Sequence, residues 1–124
     1  MLSTIKKKLF SINAGASTPA LPYKVYTALL TQSGESSPSV TILQNTLGDI
    51  EWTYYGEGTY IGQLIEGFVE NKTFPIYGQT NTNVAITKIY RADSDSVWIE
   101  VFSSPNVYSD NVLNNTPIEI RVYN

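Results

Sequence analysis

The residues with the greatest chemical potential in this chain crowd into one run, Leu47–Phe68, which reads LGDIEWTYYGEGTYIGQLIEGF. It holds one tryptophan, three tyrosines, four acidic residues and five glycines. Two chemistries suit that set. Trp52, Tyr54, Tyr55 and Tyr60, flanked by Asp49, Glu51, Glu57 and Glu66, could form a platform on which sugar rings stack. Glycoside hydrolysis would need two carboxylates roughly 5–10 Å apart across a cleft, and Glu51 and Glu66 would be the pair, opposed across a hairpin. A chain of 124 residues with no large loop is short of material for such a cleft. Aromatic cross-strand pairs also stabilise sheets without binding anything. The run therefore reads first as a hairpin whose aromatics serve the fold and subunit contact.

The remaining candidates are weaker. Asp93 and Asp95, with Glu100, offer oxygen ligands for calcium, but the further acids and the glycine of an EF-hand loop are missing, and a solvated turn is the better reading. Arg91 and Arg121 are expected to pair with nearby acids. Histidine and cysteine are both absent. That removes Ser-His-Asp and Cys-His catalysis, histidine metal sites, disulfides and thiolate ligands. Phosphate-binding glycine loops are absent as well. The expectation is a protein that is not an enzyme and carries no cofactor and no metal.

Charge divides the chain unevenly. The formal net charge is −3, yet Lys6, Lys7 and Lys8 form the single basic run. Beyond them lie five basic and eleven acidic residues, a balance of −6. An acidic body argues against nucleic-acid binding through the globular part. No apolar run is long enough to span a bilayer. The stretch after the lysines is too short and too polar for the apolar segment of an export signal. A soluble protein made and used without export is expected, with no membrane partner.

The elements that must position these residues change type near residue 22. In residues 1–21, Leu2, Ile5, Leu9 and Ile12 recur at helical spacing, which suits a short amphipathic helix or an a/d seam with Ser3 as its N-cap. So short a helix is marginal alone and needs a partner. Apolar contact through those four residues, with Lys6–Lys8 facing an acidic surface, makes residues 1–21 an anchoring arm and linker. Residues 22–124 then form one domain. The composition is rich in Thr, Ser, Asn, Tyr, Val and Ile and favours β structure.

From Tyr23 onward the periodicity is two. Tyr26, Ala28 and Leu30 share a face, as do Ile50, Trp52 and Tyr54. Glu51, Thr53 and Tyr55 lie opposite the latter set. Further along, Val97, Ile99 and Val101 back onto Trp98, Glu100 and Phe102, and Ile118, Ile120 and Val122 alternate with Glu119, Arg121 and Tyr123. Gly56 and Gly58 offer positive φ at the hairpin turn. Pro75 marks an edge strand or a bulge. SPNVYSDNVLNN reads as a long polar loop. About eight short strands joined by polar loops predict an all-β antiparallel sandwich, jelly-roll or immunoglobulin-like. Several strands are apolar on both faces, so a second face is expected to meet a neighbouring subunit.

YKVYTALLTQSG followed by SPSVTILQNTLGDIEWTYYGEGTYIG, with the ending NNTPIEIRVYN, resembles a family of small proteins of phages and prophages of Bacteroidetes-type bacteria. The likeness covers roughly residues 22–68 and 113–124, and it carries no catalytic motif. It implies a virion component: a capsid decoration, head-fibre, spike or tail-associated protein. It also implies a homotrimer docked by its N-terminal segment to another virion protein such as the major capsid protein, assembled in the host bacterial cytoplasm. No functional residue carries over, since the shared positions are turn glycines and core aromatics. A carbohydrate- or receptor-binding sandwich module is the alternative.

Overall fold

A computed structural model describes residues 19–79 and 86–124. The expected helix over Leu2–Ile12, with the docking residues Leu2, Ile5, Lys6, Lys7, Lys8, Leu9 and Ile12, lies outside the described residues. Among the described residues there is no helix. Nine strands run in order: β1 (Tyr23–Thr31), β2 (Ser39–Asn45), β3 (Glu51–Gly56), β4 (Thr59–Gln63), β5 (Thr73–Tyr77), β6 (Ile86–Asp93), β7 (Ser96–Ser104), the short β8 (Val107–Tyr108) and β9 (Thr116–Tyr123). They form two antiparallel sheets. Sheet A has the order β2-β1-β9-β5, and sheet B has β3-β4-β7-β6 with β8 paired to the end of β7.

The alternation of apolar residues explains why the two sheets face each other. Tyr26, Ala28 and Leu30 of β1 and Ile118, Ile120 and Val122 of β9 project from sheet A into one cluster. Trp52, Tyr60, Val97, Ile99 and Val101 meet them from sheet B. A one-residue slip in any of these strands would turn its whole apolar set outward, so burial of one face holds the register. The Trp52 indole N–H donates to the Tyr26 hydroxyl at 3.2 Å and joins the two sheets inside the core. An antiparallel sandwich is thus the architecture, with β1 and β9 adjacent at the centre of sheet A.

Pro75 falls on β5, an edge strand, where its missing N–H costs no ladder bond. The β3–β4 hairpin turns through Glu57 and Gly58, and only the second of the two candidate glycines takes positive φ, at +66°. A side chain there would also collide with backbone, since a Cβ on Gly58 would lie 2.5 Å from the Val101 carbonyl oxygen.

The stretch read as a polar loop after β7 departs from expectation. It contains β8, and it sends Val112 and Leu113 into the core. Asn111 and Asn115, at φ 64° and 46°, bracket that pair. Asparagine tolerates the left-handed region better than most residues, and the two reversals turn two apolar side chains inward within a polar sequence.

Candidate binding and assembly surfaces

The four aromatics of the hairpin do not form one surface. Trp52 is 7% exposed and Tyr60 is fully buried. Neither can touch a sugar or a neighbouring subunit, and their place among possible contact residues is corrected accordingly. Both sit on the strand face that the apolar pattern sends to the core. Tyr54 follows them on that face, half-buried and packed against the core. Tyr55 takes the opposite side: the register of β3 on β4 shifts between Tyr54 and Gly56, and the Tyr55 side chain is 66% exposed.

What holds Tyr54 and Tyr60 is Asp110, a residue whose importance the local sequence does not disclose. Its carboxylate accepts from the Tyr54 hydroxyl at 2.7 Å, the Tyr60 hydroxyl at 2.8 Å and the Gly58 N–H at 2.8 Å. The Tyr60 hydroxyl also lies 2.7 Å from Gln32 Oε1, so its single hydrogen is shared between two acceptors. The same Gln32 oxygen accepts from the Asn111 N–H at 3.0 Å, while its amide donates to the carbonyls of Gly34 and Ser36. This network fastens the turn of the hairpin, the loop after β1 and the loop after β8 at one end of the sandwich. Its electrostatic effect is legible in the phenols. The hydrogen bond to Asp110 pushes Tyr54 up to about 12, and burial, reinforced by Asp110, pushes Tyr60 higher. These phenols are locked as donors and serve the fold.

The acidic candidates separate in a similar way. Glu51 pairs with Gln63 across the hairpin, and it shares a groove of about 510 Å³ with Asp49 and Asp95. Glu66 does not line that groove; it sits in the turn after β4 at φ 55°, where its backbone N–H donates to Asp95 Oδ1 at 2.7 Å. The carboxylates that share this groove with Glu51 are therefore those of Asp49 and Asp95, and Glu66 is not among them. Asp93 Oδ1 accepts from the Asp95 N–H at 2.8 Å and the Ser96 hydroxyl at 3.0 Å, which closes the β6–β7 turn. Those bonds hold the Asp93 carboxyl below its ordinary range. Glu100 stands four residues along β7 from Ser96, about 13 Å away at the rise of an extended strand. Among the described residues no cluster of three or more carboxylates could hold a metal ion. Arg121 pairs with Glu119 at 2.7 Å, whereas Arg91 donates to the Phe68 carbonyl at 2.7 Å.

The outward faces are where unsatisfied apolar surface collects. On sheet B the register aligns Ile61, Trp98 and Tyr90 in one row, and Thr59, Glu100 and Lys88 in the next. The Tyr55 ring packs 5.0 Å from Trp98, and the Phe102 ring 4.5 Å from Tyr108. Charges on this face are engaged locally. The Tyr90 hydroxyl donates to Glu100 at 3.0 Å, and the Lys88 ammonium lies 5.3 Å over Phe102. Tyrosine, tryptophan and few free charges are what the centre of a protein interface contains. On sheet A, Phe74 and Ile76 of β5 are exposed beside Arg121 and Glu119. A shallow apolar groove of about 330 Å³ runs there between Thr27, Ile76 and Pro117.

The fold and its surfaces thus define the class: an antiparallel two-sheet β-sandwich with apolar outer faces. Neither a family model, nor a curated protein, nor a solved structure matches the chain.

Proposed function

We propose that this chain is a structural subunit of a phage virion, a decoration, head-fibre or spike component that assembles with copies of itself, as a homotrimer, and docks to the particle through residues 1–21. The observation that carries this reading is the apolar surface left open on the outer side of sheet B, where Tyr55, Ile86 and Tyr108 are each more than 40% exposed, with Phe74 open on the β5 edge of sheet A. Singly exposed apolar residues are ordinary, but a contiguous apolar patch marks a contact surface, and on sheet B the Ile61–Trp98–Tyr90 row joins Tyr55 and the Phe102–Tyr108 pair into one. The resemblance over residues 22–68 and 113–124 supports the virion role. The spacing of Leu2, Ile5, Leu9 and Ile12 beside Lys6–Lys8 supports docking by the arm, with the major capsid protein as partner.

Deletion of residues 1–21 tests the reading. The truncated chain is expected to keep its sheet signal in circular dichroism and to disappear from purified particles. Normal incorporation would end the docking proposal, and a monomeric mass for the full chain in light scattering would end the trimer.

The open Tyr55–Trp98 pair favours one second reading, a carbohydrate- or receptor-binding module that uses the outer face of sheet B. Replacing Tyr55 with Ala would then abolish glycan binding without changing the melting temperature. A wild-type chain that binds no member of a broad glycan array would dismiss it.

A further inference from the structure

Among the described residues the two sheets present four long edges, and three of them are protected. β5 carries Pro75; β6 carries Lys88, Arg91 and Asp93; β3 carries Glu51 and a register shift next to its turn. Prolines, charges and bulges are the usual means by which sheet edges avoid joining one another. β2 (SVTILQN) has neither a charge nor a proline, its one register shift falls at Leu43 and leaves Ser39–Ile42 regular, and residues 36–48 contain no charged residue at all. Six of its seven residues are exposed, with Ile42 at 47% and Leu43 at 60%. Val40 and Ile42 stand opposite Leu30 and Ala28, two fully buried core residues of β1. They continue the apolar layer of sheet A to its rim and end there in the open.

We propose that β2 is a homotypic docking edge, at which a second copy of this chain adds its own β2 antiparallel across a two-fold axis at Thr41. The occupant follows from charge. The body is acidic, with five basic against eleven acidic residues beyond Lys8, so two copies repel over most approaches. At β2 that repulsion is weakest, and a strand without charges places no like charges opposite each other under two-fold symmetry. The register follows from the bulge. Pairing with β1 shifts between Thr27 and Ala28, which leaves Leu43 unpaired and Ser39–Ile42 regular. A two-fold axis normal to the sheet sets one residue opposite itself. With Thr41 at the axis, Val40 meets the partner's Ile42 on the core face and Ile42 meets the partner's Val40. Four β-branched side chains then close over the open rim of the layer.

This inference deepens the assembly reading but stands on the edge strand alone, so particle incorporation and the test below can fail separately. The chain contains no cysteine. A single Thr41→Cys therefore has only its counterpart in another copy to pair with. Directly opposed Cβ atoms lie about 4.5–5.5 Å apart, close to the spacing a disulfide accepts. Under mild oxidation Thr41→Cys is expected to run as a covalent dimer, and Ile76→Cys on the protected β5 edge is expected to stay single. In the full-length chain Ile42→Lys should halve the mass measured by light scattering. A trimer joined by this contact weighs six chains and would fall to three. Absence of the Thr41→Cys dimer together with an unchanged mass for Ile42→Lys would overturn the proposal. A β2 edge covered by the chain's own N-terminal residues would give that outcome.

Discussion

Replacing Asp110 with Ala removes one small carboxylate and should cost more than most surface changes. The cost can be built from its three partners. The Gly58 N–H is buried in the turn and has Asp110 as its acceptor. Left unmet, a buried donor costs about 1–3 kcal/mol. The Tyr60 hydroxyl loses a charged acceptor but keeps Gln32 Oε1 at 2.7 Å. The difference between the two acceptors is about 0.5–1.5 kcal/mol. Tyr54 is half-exposed and turns its hydroxyl to water at little cost. The sum is about 1.5–4.5 kcal/mol, a large share of the 5–15 kcal/mol that holds a domain together. Equilibrium urea unfolding followed by tryptophan fluorescence would measure it, since Trp52 sits in the core of the same sandwich. Tyr60→Phe is the comparison. If the two residues act through one network, the double variant should lose less than the sum of the single losses. A loss below about 0.5 kcal/mol for Asp110→Ala would refute the reasoning, because it would mean that water replaces all three bonds.

Two further perturbations test other parts of the account. Gly58→Ala should lower the melting temperature by about 4–16 °C, since left-handed φ costs about 1–2 kcal/mol for a residue with a Cβ and each kcal/mol is worth about 4–8 °C in a domain of this size; a shift of 3 °C or less in a calorimetric scan would show that the turn yields. In an ultraviolet titration Tyr54 and Tyr90 should ionise near pH 12, Tyr54 through its bond to Asp110 and Tyr90 through burial and then its bond to Glu100. A folded value above the ordinary 10.0 means that their contribution is intact below pH 10 and lost as pH rises through about 12. Tyr54→Phe should remove one phenol from that late phase, and an unchanged late phase would contradict the assignment.

Most of the sandwich was legible because burial of one sheet face writes itself into alternate residues. Tyr26, Ala28 and Leu30 declared their face, as did Val97, Ile99 and Val101, and Ile118, Ile120 and Val122. Pro75 announced an edge by what it cannot donate. The same parity separated Trp52 from Tyr55, although composition alone made them look like one surface. Asp110 stayed hidden because its partners Tyr54 and Tyr60 lie 56 and 50 residues away. No local pattern encodes a contact at that separation, and an aspartate between Ser109 and Asn111 resembles any turn residue. Val112 and Leu113 were masked in the same way, since their inward turn depends on the backbone of Asn111 and Asn115 and two apolar residues have no period. The openness of β2 was equally invisible, because its apolar residues look like core until the extent of the facing sheet is known.

The pairing of β1 with β9 carries a consequence for how the molecule comes into being. Thr27 donates to Glu119 across 92 residues of chain, and β9 lies between β1 and β5 as the strand both depend on. A chain emerging from the ribosome can close the β3–β4 and β6–β7 hairpins as each is made, but sheet A stays open until β9 has left the tunnel. Until then the inner side chains of β1 are exposed to every other nascent copy. The sandwich therefore closes in a nearly all-or-none step when β9 joins β1 and β5, and a copy presents finished surfaces to its neighbours only after that step.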